Sequence, residues 1–278
     1  MLIYHDLSRQ SETPTVAALG FFDGVHLGHR AVIAEALCQA RKQGAKCAVF
    51  TFEPPRNTDR TVSKSDVKLL QSVADRDCLL EELGVELVLC PPFESFYNFT
   101  PEEFVREILH NTLNCRGVVC GEDYRFGKKG AGKAALLRQL AEPLGITVTA
   151  LAPITWDNEP VSSSRIRRCL AEGNTELAGA LLGVPYSVCG RAVRQGDELA
   201  LRWPEEMARP ADGSYRGRDE GRPVLLTVRD GAVFWRGEES NGEPVRLEFL
   251  GRAENIPHLY GKNEVFLHRQ GYKETFFN

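Results

Sequence analysis

Short apolar runs alternate with longer amphipathic stretches over the first two thirds of the chain. Five of these runs predict strands, at 15–19, 47–52, 85–90, 117–120 and 146–151. Helical periodicity predicts helices over 30–43 and 66–83, which end at Gly44 and Gly84. A third helix is predicted to begin at Thr100, because the sequence Thr100-Pro101-Glu102-Glu103 supplies an N-cap, a first-turn proline and a capping box.

Strands separated by helices predict parallel pairing with right-handed crossovers. The expected fold class is therefore α/β, a Rossmann-like doubly wound parallel sheet whose ligands bind beyond the carboxyl ends of its strands. The pattern changes near residue 187, where glycine, proline and β-forming residues replace the helical periodicity. Turn signals at Arg229-Asp230-Gly231 and Asn241-Gly242 predict a small antiparallel, barrel-like β-domain. The predicted domains are 1–186 and 187–278.

The composition is that of an ordinary globular protein, with 278 residues, 42% of them hydrophobic and 26% charged. A net charge of −4 argues against nucleic acid as the main partner, since duplex binding usually needs a basic surplus. The first 14 residues lack the apolar core of a signal peptide, and no run approaches the roughly 20 apolar residues of a membrane span. We therefore expect a cytoplasmic protein without a membrane partner. The eight cysteines form no CxxC pair, which favours reduced, buried thiols and no metal site.

The first strand is followed by the sequence GFFDGVHLGH, residues 20–29. Gly20 and Gly24 permit a tight turn close to a ligand, and Gly28 keeps the first helical turn free of side-chain bulk. His26 and His29 are three residues apart, so they share one face at a helix N-terminus, where free N–H groups favour anions. The alternative is a pair of surface histidines beside a turn. The spacing after a strand favours a site that binds a triphosphate and its transition state.

A second motif, VSSSRIRR at residues 161–168, places consecutive serines before a predicted helix. Serine hydroxyls cap helices and donate to phosphates, and guanidinium groups bind phosphate oxygens in a fork. Taken alone, the motif favours a plain N-cap followed by a solvated basic turn. Its position downstream of the two histidines, in the same predicted domain, favours phosphate binding.

Together these segments resemble the HxGH and SSTxIR signatures of nucleotidylyltransferases. Three further segments are similar to those of the bacterial FAD synthetases, which usually combine riboflavin kinase and FMN adenylyltransferase; they are FTFEPP at 50–55, FTPEEFVREIL at 99–109 and VVCGEDYRFG at 118–127. The resemblance covers roughly residues 15–190. Ser164 stands where the family commonly has threonine, so the hydroxyl is kept.

The resemblance implies roles for particular residues. His26, His29 and Arg167 would be catalytic, contacting the ATP phosphates during the transfer of AMP to FMN. The remaining ATP-binding residues would be Gly20, Phe21, Phe22, Asp23, Gly24, Gly28, Ser163, Ser164 and Arg165. Flavin-binding residues would be Phe52, Pro54, Gly121, Asp123, Arg125 and Phe126. Mg²⁺ would be carried mainly by phosphates and water rather than by protein ligands.

The sequence GKKGAGKA at 127–134 nearly spells a Walker A loop. Ala134 stands where that loop needs a serine or threonine to bind Mg²⁺, so we interpret the segment as a basic flap instead.

The C-terminal region resembles the start of the family's riboflavin kinase but departs from its signature, approximately GRxLGxPTAN. On that alignment Glu205 replaces the threonine and Met207 replaces the asparagine that help to hold Mg²⁺ and ATP. Glu248 is only a weak candidate for the kinase's catalytic glutamate. We therefore predict a degenerate, shortened kinase domain. The alternatives are a bifunctional enzyme that keeps the kinase, a transferase acting on another phosphate, and a non-catalytic flavin-binding or regulatory protein.

Overall fold

The structure is a computed structural model that describes residues 1–53, 67–237 and 243–253. Its first part is a six-stranded sheet in the order β1-β4-β3-β2-β5-β8, and every neighbouring pair is parallel. The strands are β1 (Leu2–Tyr4), β2 (Thr15–Leu19), β3 (Lys46–Phe50), β4 (Leu87–Leu89), β5 (Cys115–Gly121) and β8 (Thr147–Leu151). The order reverses between β2 and β5, which is where a doubly wound sheet binds its ligands. The predicted Rossmann-like sheet is confirmed, with β1 as an edge strand that the pattern did not predict.

Helices cover both faces of this sheet. They are α1 (Leu27–Gln43), α2 (Val73–Glu82), a short α3 (Pro101–Glu103) that continues as a π-helix (Phe104–Thr112), and α4 (Ala134–Ala141). One hydrophobic cluster packs the π-helix and α4 on one face, and a second packs α1 and α2 on the other. The strand residues between these layers are buried, which explains why they appear in the sequence as continuous apolar runs.

Local capping signals account for most of the helix ends. Thr100 and Glu103 form the predicted capping box, and Gly44 ends α1 in the left-handed conformation at φ 59°. The second helix was predicted too long: α2 begins at Val73, because the side chain of Ser72 accepts from the backbone N–H of Asp75 and caps it there. The preceding residues 67–71 are extended and pair elsewhere.

The second part is a seven-stranded antiparallel sheet in the order β11-β17-β14-β15-β16-β13-β12. Its strands are β11 (Tyr186–Arg191), β12 (Val193–Gln195), β13 (Glu198–Arg202), β14 (Gly213–Asp219), β15 (Arg222–Arg229), β16 (Ala232–Trp235) and β17 (Pro244–Arg252). Asp230 and Gly231 both have positive φ in the predicted hairpin turn between β15 and β16. The sheet curls into a half-barrel, since a Cβ on Gly190 of β11 would lie 3.3 Å from Leu201 of β13. The predicted turn at Asn241-Gly242 lies outside the described residues.

Two further helices, α5 (Ser163–Ala171) and α6 (Thr175–Leu182), connect the two sheets. Their buried residues, including Ile166 and Leu181, share one hydrophobic cluster with Trp235 and Phe249 of the antiparallel sheet. A shared cluster means that this sheet has no core independent of α5 and α6. The boundary at 186/187 stays a prediction.

The sequence predicted neither a membrane span nor a metal site with protein ligands. Within the described residues, no helix combines the length and the apolar content needed to cross a bilayer. The described part of the chain also has no group of three or more His, Cys, Asp or Glu side chains that could hold a metal ion. All eight cysteines are free thiols; Cys78 is exposed, whereas five others are buried.

Candidate active site

A cleft of about 530 Å³ opens at the carboxyl ends of β2, β5 and β8. This volume is typical of small-molecule sites. The N-termini of α1 and α5 both border the cleft, so two sets of free backbone N–H groups face it. Its walls include these predicted site residues: Gly20, Phe21, Phe22, His26, Gly28, His29, Gly121, Asp123, Ser163 and Ser164. The fold therefore brings both sequence motifs, more than 130 residues apart in the chain, to one cavity.

The two histidines stack on each other in the cleft wall. Their ring centroids are 3.7 Å apart and the ring planes differ by 14°. His26 is the N-cap of α1, and its Nδ1 accepts a hydrogen bond from the backbone N–H of His29 at 3.3 Å. Because Nδ1 accepts, the neutral ring of His26 carries its proton on Nε2, which leaves Nε2–H free to donate. The Nδ1 of His29 is buried and has no hydrogen-bond partner among the described residues.

Burial keeps both imidazoles neutral. It is the main cause that lowers the pKa of His26 from its ordinary 6.5 to about 4; a backbone hydrogen bond opposes this shift, and the charge of the nearby Arg167 adds to it. Burial also lowers the pKa of His29 well below its ordinary value, and the positive charge that His26 would carry acts in the same direction. At neutral pH the pair therefore acts on a ligand as hydrogen-bond donors rather than as cations.

Because His26 is buried in its neutral form, we expect the fold to lose stability in acid. Between pH 6.5 and about 4 the unfolded chain takes up a proton at His26 that the folded protein does not, so the free energy of unfolding falls as pH falls. The lowering of the His26 pKa to about 4 makes this loss on the order of 3 kcal/mol. His26→Asn keeps a good N-cap and removes the titrating group, so we expect a shallower pH dependence. Urea unfolding at pH 7, 5.5 and 4.5 measures it, and identical slopes for both proteins would contradict the assignment.

The serine motif lines the same cleft as the histidines. Ser162 is the N-cap of α5 and accepts from the backbone N–H of Arg165 at 3.2 Å. Ser163 donates its hydroxyl to the backbone carbonyl of Asp23 at 2.9 Å, which ties α5 to the turn after β2. Ser162, Ser163 and Ser164 all line the cleft. The motif therefore supplies a helix N-terminus and hydroxyl groups to the cleft that the histidines line.

Two of the predicted ATP-binding residues pair with each other beside the cleft. The guanidinium of Arg167 forms an ion pair with the buried carboxylate of Asp23, and its Nε donates to the carbonyl of Lys68 at 2.6 Å. Asp23 also accepts from the backbone N–H of Leu70 at 2.7 Å. Burial raises the pKa of Asp23, whereas Leu70 and Arg167 oppose the rise. Arg167 is thus held by protein groups here, and neither Arg167 nor Asp23 is part of the cleft wall.

Arg165 has structural partners in this structure and does not line the cleft. Its side chain is buried at 7% exposure and donates to the carbonyls of Trp156 and Glu159, at 3.0 and 2.7 Å. It thereby holds the hairpin of β9 (Thr155–Trp156) and β10 (Glu159–Pro160) against α5. Gly24 is likewise a packing residue: at φ 89°, a Cβ there would meet Leu70 at 2.8 Å.

Only some of the predicted flavin-binding residues line the cleft. Gly121 and Asp123 line the cleft, and the ring of Phe52 stacks on Phe21 at 4.9 Å. Arg125 is exposed on a two-stranded hairpin, β6 (Arg125–Phe126) with β7 (Gly132–Lys133), and does not line the cleft. Phe126 is a core residue at 3% exposure, and its ring packs on Phe104 and Tyr124. Pro54 lies outside the described residues.

Part of the cleft wall was not predicted from the sequence. It comprises Leu19, Ala31, Val32, Tyr124, Leu151, Ala152, Pro153, Ile154, Pro160, Val161 and Ser162. Leu151 ends β8 and residues 152–154 follow it directly, so the rule that ligands bind at the carboxyl ends of parallel strands was the signal that could have found them. The Walker-like segment 127–134 contributes no residue to the wall.

Comparisons with known proteins agree with this architecture. The family model described as FAD synthetase matches residues 8–165. A bifunctional riboflavin kinase/FMN adenylyltransferase from Listeria monocytogenes is 39% identical over 184 residues, which are 66% of this chain and 58% of that protein. The protein of that name from Buchnera aphidicola (Acyrthosiphon pisum) is 28% identical over 97% of this chain and 88% of its own length.

A crystal structure of a macrolide-efflux protein from Streptococcus pneumoniae superimposes with a TM-score of 0.82. It covers 94% of this chain and 92% of the other, at 24% identity, and so shows the fold alone.

The alignment with the Escherichia coli bifunctional enzyme, at 33% identity, spans 70% of this chain and 62% of the relative. The chain thus matches about three fifths of the length of such relatives.

Proposed function

Because the chain belongs to the FAD synthetase family, we propose that it transfers AMP from ATP to FMN, giving FAD and pyrophosphate. The observation that carries this proposal is the shared cleft, which two stacked imidazoles and three serines line beside two helix N-termini. Hydrogen-bond donors and helix N-termini around one cavity suit a polyphosphate ligand. The unpartnered Nδ1 of His29 adds a buried polar atom that a ligand can satisfy.

The proposed reaction is a direct in-line displacement. A phosphate oxygen of FMN forms a bond to the α-phosphorus of ATP, and the bond from that phosphorus to the bridging oxygen of the β-phosphate breaks. The electron pair leaves with pyrophosphate. Nε2–H of His26 and a donor on His29 stabilise the charge that builds on the α-phosphate, so catalysis rests on positioning and electrostatics. Burial lowers the pKa of both rings in the site without a ligand, so each is a neutral imidazole with one N–H to donate before the nucleotide binds.

In the same proposal Ser163, Ser164 and Arg167 bind the β- and γ-phosphates that leave. Their hydroxyls and guanidinium are suited to phosphate oxygens, and the two serines already face the cleft. Mg²⁺ accompanies the nucleotide and neutralises phosphate charge, without a cage of protein ligands.

The flavin would bind beside Gly121 and Asp123, near the stacked pair of Phe21 and Phe52. Phe126 and Arg125 remain proposed flavin residues. For Phe126 the proposal requires the buried ring to turn out of the core when FMN binds, since it offers little surface at 3% exposure.

Isotope labels test the transfer. With [α-³²P]ATP and FMN, label should appear in a flavin product, and with [γ-³²P]ATP it should appear only in pyrophosphate. Label from the γ-position in a flavin would indicate phosphoryl transfer instead. A chain that binds FMN tightly but transfers neither label would be the non-catalytic flavin protein.

We further propose that the riboflavin kinase activity is lost. Met207, aligned with a ligand-binding asparagine, is 5% exposed and packs in the core of the antiparallel sheet. Glu205, aligned with a threonine, brings a negative charge that repels nucleotide phosphates. Glu248, the weak candidate for the kinase base, forms an ion pair with Arg218 at 3.6 Å.

Kinase loss predicts no conversion of riboflavin to FMN. Incubation with riboflavin and [γ-³²P]ATP should give neither labelled FMN nor labelled FAD at protein concentrations that convert FMN fully to FAD. The FMN reaction in a parallel tube is the control for active protein. Labelled FMN or FAD formed at a comparable rate would show that the enzyme is bifunctional.

A further inference from the structure

The antiparallel sheet is bonded to an extended segment of the first part of the chain, residues 67–71, which we call the strap. Residues 203–208 between β13 and β14 form what we call the docking loop. The N–H of Leu69 donates to the carbonyl of Glu206, and the N–H of Ala208 donates to the carbonyl of Leu69, both at 2.7 Å. These bonds form a parallel bridge between Leu69 and Met207. Nζ of Lys68 also donates to the carbonyl of Glu205 at 2.6 Å.

The strap also holds the ion pair at the edge of the cleft. Leu70 donates its N–H to the carboxylate of Asp23, and the carbonyl of Lys68 accepts from Nε of Arg167. Three consecutive strap residues therefore link the two regions. Leu69 bonds to the docking loop, Leu70 bonds to Asp23, and Lys68 bonds to both the docking loop and Arg167. Leu70 and Met207 are both buried in the cluster that joins α5, α6 and the antiparallel sheet.

The docking loop is itself held firmly by its own sheet. The hydroxyl of Tyr186 donates to the carbonyl of Ala208, and the N–H of Trp203 donates to the carbonyl of Gly231 at 2.9 Å. The rings of Tyr186 and Trp203 stack at 6.4 Å. A loop fixed at both ends transmits its position to the strap through backbone hydrogen bonds, which tolerate little displacement.

We propose that the docking loop is a positioning element for adenylyl transfer, with Met207 as its main positioning residue. The docking loop fixes the position of the strap, and the strap fixes the position of Arg167 relative to the phosphates of ATP. The inference rests on the proposed function, and it gives the antiparallel sheet a role in that reaction in place of kinase chemistry. In this chain, the loop that aligns with the kinase's nucleotide-binding segment is hydrogen-bonded to the strap.

Met207→Ala is the test, because it removes side-chain volume from the hydrophobic cluster that also holds Leu70 of the strap, and Met207 does not line the cleft. We expect kcat/KM for ATP to fall about tenfold, since small misplacements of binding groups are costly. KM for FMN should stay within about twofold, because the strap bonds to Asp23 and Arg167, which are proposed ATP residues. Met207→Leu keeps the volume and should restore the ATP parameters to within about threefold of the wild type.

Leu226→Ala is the matched control, since Leu226 is fully buried in the same cluster on β15. It should lower the thermal midpoint comparably while leaving kcat/KM for ATP within about twofold. If Met207→Ala does not fold, Met207→Val carries the same comparison with a smaller expected loss. A wild type that makes no FAD would refute the proposed function. A wild type that makes FAD, with equal ATP kinetics in the Met207 and Leu226 variants, would overturn the positioning role alone.

Discussion

Replacing His29 with alanine is expected to lower kcat for FAD formation by roughly 10²–10³-fold, the usual cost of removing one preorganised donor to a developing oxyanion. The ring of His29 lies in the cleft wall, stacked on His26 and 5.1 Å from the ring of Phe22. Its backbone N–H holds His26 by the cap hydrogen bond, and alanine keeps that bond. The variant therefore removes the donor on the second ring and leaves the first one oriented.

Three measurements separate this loss from misfolding. FMN affinity of His29→Ala should stay near that of the wild type, since no proposed flavin residue is altered. His29→Asn, which keeps a neutral donor, should recover part of the rate. His110→Ala on the exposed face of the π-helix is the matched control and should leave kcat unchanged. A His29→Ala protein with wild-type kcat and intact fold would remove the histidine pair from the mechanism.

Replacing Arg167 with methionine is expected to reduce both stability and turnover. The carboxylate of Asp23 is 4% exposed, so losing its counter-ion leaves a buried charge and should cost about 2 kcal/mol of unfolding free energy at neutral pH. The deficit should shrink as pH falls, because burial already raises the pKa of Asp23 and the protonated carboxyl needs no counter-ion. Turnover should fall roughly 10²-fold, since a phosphate-binding fork is also lost.

The double variant Asp23→Asn/Arg167→Met distinguishes the two effects. Asparagine at position 23 still accepts from the N–H of Leu70 and carries no charge, so stability at pH 7 should return toward that of the wild type. The rate of FAD formation should remain low, because Arg167 is still missing. Recovery of the rate together with stability would mean that Arg167 only neutralises Asp23 and does not act on ATP.

Much of the fold followed from the sequence because the deciding interactions are local. The strand at 15–19 and the capping box at Thr100 have the predicted bounds, since burial on both faces and a single side-chain cap determine them. The meeting of the histidine and serine motifs also followed, because both precede helices at the same edge of a parallel sheet. The edge strand β1 was missed, since three partly buried residues give too short an apolar run.

The details of the site depended on long-range contacts that no spacing rule contains. The resemblance implied phosphate-binding roles for both Arg165 and Arg167, but Glu159 on an unpredicted hairpin binds Arg165 and Arg168. That leaves Arg167 as the one of the three beside Asp23. The strap was predicted as helix because its apolar residues follow a helical spacing, whereas its backbone pairs with a loop more than 130 residues away.

The most direct measurement is chromatographic: the purified chain is incubated with Mg²⁺, ATP and FMN, and flavins and pyrophosphate are quantified over time. Our account predicts FAD and pyrophosphate in equal amounts, at a rate proportional to the chain and lost in His29→Ala. Unchanged FMN, in a sample that binds both ATP and FMN, would contradict the assignment of this cleft to adenylyl transfer.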